Sequence, residues 1–264
     1  MRIRKKHIGI SIILFIEAII FIFTLNWQFR GNVLNDVQVH KTRTATVFIP
    51  GFAGNAVSTD DFIQQFSEHN IASRTLKIGI TKNGKVYTIE QYKKVESDNP
   101  LVQLVFKDNT HPYKESNQMV SVMRYLKNKY NITSVNLLGH SSGGNIAYYY
   151  MVNHPHLKDL PTVSKFVSIA ADYPTNDPYA KGGPQNLPKN LEILNIAGEI
   201  WNLKSDAEEA VDIVKPMGKL VQPHVKSYQF WLYRSDPLSA EHSMLHENPV
   251  IDKHIAGFLF GFKK

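Results

Sequence analysis

The segment Val135-Asn136-Leu137-Leu138-Gly139-His140-Ser141-Ser142-Gly143-Gly144-Asn145 constrains this chain more than any other stretch. It sets G-x-S-x-G directly after a short apolar strand and directly before a helical stretch. A serine there sits on a sharp strand-to-helix turn with its hydroxyl projecting outward. Glycines two residues to either side let strand and helix approach without side-chain collision. The new helix also turns unpaired N–H groups toward negative charge developing near the serine. This context separates the motif from a plain Gly/Ser-rich turn and makes Ser141 the candidate nucleophile; Ser142 is off register for attack.

A serine hydroxyl is a poor nucleophile without a base, and the base needs an orienting acid. In a sheet carrying this turn the partners follow in the order serine, acid, histidine. The segment Ser239-Ala240-Glu241-His242-Ser243-Met244-Leu245-His246-Glu247-Asn248 follows the last strand and precedes the closing helix, so His242 is the first choice for the base and His246 the second. Beyond the strand at 193–197, Asp206 is the favoured acid, with Glu199 and then Asp172 as alternatives. Asp206 has a competing structural reading, because Ser205-x-x-Glu208 resembles a capping box and would put Asp206 in a first helical turn. The oxyanion-binding amides are expected at Ser142 and at Phe52, the latter within Pro50-Gly51-Phe52-Ala53-Gly54 after the first clear strand.

From residue 44 onward, apolar strand-like runs alternate with amphipathic helices, the pattern of a mostly parallel sheet with crossover helices. Strands are expected at 44–49, 75–80, 86–89, 101–106, 135–138, 166–170, 193–197 and 228–232. Helices are expected after a Ser58-x-x-Asp61 box, over 114–129, over 145–151 and over 252–259. The Lys82-Asn83-Gly84-Lys85 turn marks an inserted hairpin of type I′. Tyr148, Tyr149 and Tyr150 cannot share one helix face, so at least one is expected to be exposed. Residues 172–185, rich in Pro, Gly, Asp and Asn, form either a lid or a surface excursion.

The amino terminus reads differently. After Arg2-Ile3-Arg4-Lys5-Lys6 comes a nearly unbroken apolar run over 8–25, closed by Trp27. About 20 helical residues span the ~30 Å hydrocarbon core, and no small-x-small cleavage site follows the run. The reading is an uncleaved anchor over 1–27, a polar tether over 28–43 and a folded domain over 44–264, with the basic end cytoplasmic and the bulk outside. The basic residues of this end supply more than half of the formal net charge of +7. Little basic excess remains elsewhere to support nucleic-acid binding. With no cysteine, disulfide scaffolds, thiolate metal sites and cysteine nucleophiles are excluded. His154-Pro155-His156 lacks a third ligand at metal spacing, and no cofactor is expected.

At these residues the chain resembles an α/β-hydrolase and, more narrowly, a family of cell-surface α/β-hydrolases of Gram-positive bacteria classed as a domain of unknown function. The resemblance runs from about Thr46 to the end. It rests on Gly51-Phe52-Ala53-Gly54, the hairpin at Asn83-Gly84, Asn99-Pro100 leading to Phe106-Lys107-Asp108-Asn109, Gly139-His140-Ser141-Ser142-Gly143-Gly144, and His242-Ser243-x-Leu245-His246-Glu247-Asn248. It implies an α/β-hydrolase fold, a signal or anchor at the amino terminus, and Ser141, Asp206 and His242 as the triad. The chain departs from the family in having Pro50-Gly51 for His-Gly and Asp206-Ala207 for Asp-Gly. The expected function is a membrane-anchored, extracytoplasmic serine hydrolase acting on a small-molecule, lipid or cell-wall ester. A catalytically weak binding or adaptor protein, or an acyltransferase using the same triad, are the alternatives.

Overall fold

The computed structural model describes residues 15–18, 21, 24, 29–155, 157 and 159–263. Most of the expected anchor lies outside the described residues, among which no helix is long and apolar enough to cross a membrane. The remainder is an α/β sandwich around one eight-stranded sheet. Its strands are β1 (Ala45–Ile49), β2 (Ser73–Ile80), β3 (Val86–Gln91), β4 (Pro100–Phe106), β5 (Ser134–His140), β6 (Thr162–Ile169), β7 (Glu192–Ile200) and β8 (Ser227–Ser235). They lie in the order β3-β2-β4-β1-β5-β6-β7-β8. Every neighbouring pair is parallel except the β2–β3 hairpin at the edge.

Burial along the strands follows from that order. All five residues of β1, at the centre, are buried, whereas β3 at the edge is largely exposed. A parallel strand covered on both faces must be apolar on both faces, and β1 is the run Ala-Thr-Val-Phe-Ile. The helices Pro112–Tyr130 and Ser142–Asn153 cover one face, packing Met119, Met123 and Ile146 onto Val47, Leu104 and Leu137. The helices Val57–Glu68 and Pro249–Phe260 cover the other, with Phe62, Phe66 and Leu259 against Phe48 and Leu138. All the parallel strands therefore end at one common edge, and the loops leaving it meet there.

Local chemistry departs from expectation at several points. The hairpin forms, but not with a type I′ turn: Gly84 N–H donates to Thr81 O and Thr81 N–H to Lys85 O, and of Asn83 and Gly84 only Gly84 has positive φ, at 78°. This is a type I turn closed by a left-handed glycine, the geometry of a three-residue loop. The Ser58 capping box does not form either. The helix starts one residue earlier, at Val57, and Asn55 Oδ1 accepts from Val57 N–H at 2.9 Å. Tyr148, Tyr149 and Tyr150 are all buried, because their helix is flanked by Pro112–Tyr130 and roofed by the 172–187 segment. That roof is stitched down by Tyr149 Oη–H donating to Asp177 Oδ2 at 2.6 Å and by Asn186 Nδ2–H donating to Val152 O at 2.9 Å.

The stretch expected as a polar tether is part of the folded domain. Leu34, Val37 and Val39 are buried, and Val39 pairs with Phe262 in an antiparallel bridge. Asn99, fully buried at φ 60°, accepts from Thr42 N–H and donates to His40 O, both at 2.8 Å. Arg30 reaches across to Asp61 Oδ1 at 2.9 Å and Glu247 Oε2 at 3.5 Å. Behind them Asp252 is fully buried, neither carboxylate oxygen has a hydrogen-bond partner among the described residues, and burial raises its carboxyl well above the usual carboxylate range.

Burial likewise raises the Asp61 carboxyl from its ordinary 3.8 to about 6, against the pull of Arg30. Between those values the folded chain keeps a proton that the unfolded chain has released. This contribution to stability is complete below the unfolded value and is lost as pH rises through the folded one. Asp61→Asn removes it. In urea melts taken from pH 4 to pH 7, the variant should gain stability relative to wild type as pH rises; a constant difference would contradict the burial argument.

Candidate active site

The turn from β5 into the helix Ser142–Asn153 is as tight as the motif requires. Ser141 takes φ 53° and ψ −133°, a conformation that L-residues rarely adopt. The glycines explain how it fits. A Cβ on Gly139 would overlap the backbone of Gly143, and one on Gly143 would overlap the carbonyl oxygen of Ile49 at the end of β1. A Cβ on Gly51 would lie 3.1 Å from Ser141 Cβ, so the loop after β1 runs directly beside the serine.

That loop is braced from β4. Asn109 Nδ2–H donates to Gly51 O at 2.5 Å and Gly54 O at 3.0 Å, and Asn109 O accepts from Ala53 N–H at 2.6 Å. Phe52 lies between these anchored residues with its ring exposed, and its N–H makes no hydrogen bond among the described residues. Ser142 is the first residue of its helix, so its N–H has no intrahelical partner. Two free amides thus flank Ser141 from different elements.

The acid and base come together at the same sheet edge. The His242–His246 turn carries His242, buried to 4% exposure, and the loop after β7 carries Asp206, buried to 1%. His242 Nδ1 and Asp206 Oδ2 are 2.9 Å apart, and His242 N–H also donates to Asp206 O at 2.9 Å. The other carboxylate oxygen of Asp206 accepts from Glu208 N–H at 3.0 Å and Glu209 N–H at 2.6 Å. With Nδ1–H given to Asp206, the neutral ring is left with a basic Nε2. Burial opposes charge on His242, but the Asp206 hydrogen bond and the Asp206, Glu208 and Glu209 carboxylates outweigh it and raise its pKa above the ordinary value.

The competing capping-box reading of Ser205-x-x-Glu208 does not hold. Ser205 pairs with Ala210 in a bridge, and the next helix begins only at Val211. Asp206 is therefore not a helix-start residue; its side chain is aimed at the imidazole. The other candidates are placed elsewhere. Glu199 is buried in an ion pair with Arg234 at 2.7 Å and also accepts from Lys204 N–H. Asp172 is held through its backbone, whose oxygen accepts from Asn145 Nδ2–H at 2.7 Å. His246 packs edge-on to His140, with ring centroids 4.7 Å apart.

His140 is the site residue that the sequence leaves unmarked, since it occupies a variable position of the motif. Its ring lies 4.5 Å from that of His242, and its Nε2 is 3.0 Å from His242 O. Burial keeps it neutral, well below the usual imidazole range, so it braces the base without competing for the proton. Ser141 Oγ makes no hydrogen bond among the described residues; catalytic hydrogen bonds of this kind often tighten only with substrate in place.

Next to the serine lies a cavity of about 480 Å³ lined by Ser142, Asn145, Tyr113, Tyr149 and Tyr179. Ser142 Oγ is buried without a hydrogen-bond partner. Beside His111, which also lines this cavity, Asp108 and Glu115 converge, but each of the three is engaged: Lys114 Nζ is 3.1 Å from Asp108, His111 Nδ1 is 2.9 Å from Thr110 Oγ1, and both Glu115 oxygens accept from His111 N–H. These contacts close the start of the helix Pro112–Tyr130.

Comparison with known proteins agrees with this architecture. The family described as alpha/beta hydrolase of unknown function (DUF915) matches residues 35–185 and 178–262. Among solved structures, the product of the lin2722 gene of Listeria innocua is 26% identical, with a TM-score of 0.74 over 84% of this chain and 95% of that one. A candidate cell surface hydrolase of Lactobacillus plantarum is 17% identical, with a TM-score of 0.67 over 82% of this chain and 89% of that one. The RedJ thioesterase of Streptomyces coelicolor shares the fold at 9% identity and a TM-score of 0.50, over 83% of this chain and 91% of that one. No functionally curated protein matches.

Ala207 sits at φ 88°, beside the acid, where the resemblance led us to expect glycine. Relief of that strain outweighs the extra unfolded-state freedom of glycine, so Ala207→Gly should stabilise the fold by about 0.5–1 kcal/mol. A melting temperature equal to or below that of wild type would show that the turn is not strained.

Proposed function

The chain belongs to the DUF915 family of α/β-hydrolases, and from that premise we propose that it is a serine hydrolase of ester or related acyl bonds, held at the outer face of the cell membrane. The observation that carries the chemistry is the buried 2.9 Å contact between Asp206 and His242, set at the sheet edge where the strained Ser141 also stands. His242 Nε2 takes the proton as Ser141 Oγ attacks the substrate carbonyl. The oxyanion is received by the amides of Phe52 and Ser142. Collapse expels the alcohol, which takes the proton back from His242. Water then repeats the cycle to release the acid.

The cavity beside Ser142 supports a place for the acyl group. Its aromatic walls, Tyr113, Tyr149 and Tyr179, favour an apolar or flat acyl chain, with Lys114 and Asp172 also in the lining. The anchor reading is supported by the apolar run after a basic amino terminus, and by Phe15, Ile16 and Phe21, which are exposed within it. The Lactobacillus relative, described as a surface protein, points the same way. The fold in turn begins almost at once after the run, with Arg30 already engaged by the domain.

A fluorophosphonate probe should label the wild-type protein, and Ser141→Ala should lower the labelling rate by about 10³-fold or more. Asp206→Asn, which removes the charge that orients the imidazole, should lower it steeply without unfolding the protein. On a series of p-nitrophenyl esters, Tyr179→Ala should change the preference among acyl groups more than it changes the best rate. Equal labelling of wild type and Ser141→Ala would end the assignment.

A further inference from the structure

We propose that Glu208 is a positioning residue for the base: its carboxylate governs how firmly His242 holds a proton at Nε2, and thereby the pH at which Ser141 becomes reactive. The second half of that statement rests on the serine-hydrolase reading; the first stands on geometry alone. The turn that fixes Asp206 also fixes Glu208. Closed by the Ser205–Ala210 bridge, it directs the Glu208 and Glu209 N–H groups onto Asp206 Oδ1. The Glu208 side chain then reaches the far edge of the ring, with Oε2 3.6 Å from His242 Nε2. Nδ1 is occupied by Asp206, and among the described residues Ser141 Oγ makes no hydrogen bond and Glu208 is the charged group nearest the nitrogen that must act as base.

A carboxylate facing Nε2 repels the lone pair of neutral imidazole and attracts the N–H of imidazolium. The other groups around the ring divide clearly. Asp206 and Glu209, on the same loop, act in the same sense as Glu208. His140, at the end of β5, and His246, on the same turn as His242, are both held toward the neutral form by burial. Glu241, at the start of that turn, spends its carboxylate on Ser243 and Met244 N–H. Among the described acids Glu208 alone combines contact with Nε2 and an exposed side chain, at 63%. Its influence should therefore be moderate and sensitive to salt. In the reaction the same charge stabilises the imidazolium that forms when Ser141 gives up its proton.

The test uses the full-length protein in detergent micelles with the isosteric change Glu208→Gln. The His242 ring is followed by imidazole NMR, its signals identified by their loss in His242→Gln, and fluorophosphonate labelling rates are measured across pH. Both midpoints should fall by about half a pH unit at low ionic strength. Most of the difference should vanish near 1 M salt, where the Debye length is about 3 Å. An unchanged or raised His242 midpoint with normal labelling of Ser141 would overturn the role of Glu208 and leave the hydrolase reading intact. A His242 midpoint lowered by Glu208→Gln, when the wild-type protein itself takes no label, would uphold the proton-holding role and overturn the hydrolase reading.

Discussion

Everything at this site follows from how closely the helix Ser142–Asn153 approaches the ends of β1 and β5. Backbone meets backbone there, and Gly139 and Gly143 are glycine because any side chain would overlap a neighbouring main chain. The approach forces Ser141 into a conformation that costs on the order of 1–3 kcal/mol. That cost is offset by the packing of a helix buried all round, from Ile146 through Val152. The return is geometric. The serine stands at the sheet edge with a helix amino terminus behind it, and the loop after β1 is held alongside.

The same edge collects residues far apart in the chain, each fixed by hydrogen bonds to the loops that carry them. Asn109 draws the Gly51–Gly54 loop toward the serine through three hydrogen bonds. The 205–210 turn wraps the Asp206 carboxylate with its own amides, leaving one oxygen for His242. His140 supports the opposite side of that ring from the residue adjacent to the serine. A strained residue accompanies each half of the arrangement, Ser141 on one side and Ala207 on the other. Backbone held in a conformation that L-residues rarely adopt, at the serine and beside the acid, is what a site that over-determines its geometry can carry.

Much of this was legible in the sequence because it is written in local pattern. The strands and the elbow follow from apolar runs and glycine spacing, and Asp206 and His242 follow from chain order around Ser141. The misreadings share a cause: tertiary contacts overrode local propensity. Three consecutive tyrosines look amphipathically impossible until the 172–187 segment roofs their helix. A polar stretch at 28–43 looks like a tether until Val39 pairs with Phe262 and Asn99 ties down His40 and Thr42. The motifs that carry the resemblance include His140 and Asn109 without assigning them a role, and Glu208 had none, since these roles exist only once β4, β5 and the loop after β7 converge.

The central claim is that the hydroxyl at residue 141, and no other, forms the covalent intermediate. Peptide mass spectrometry of the fluorophosphonate-treated full-length protein tests this directly. The account predicts a single adduct, mapped by fragmentation to Ser141 and lost when His242 is replaced. An adduct on the adjacent Ser142, or one that persists undiminished without His242, would contradict it.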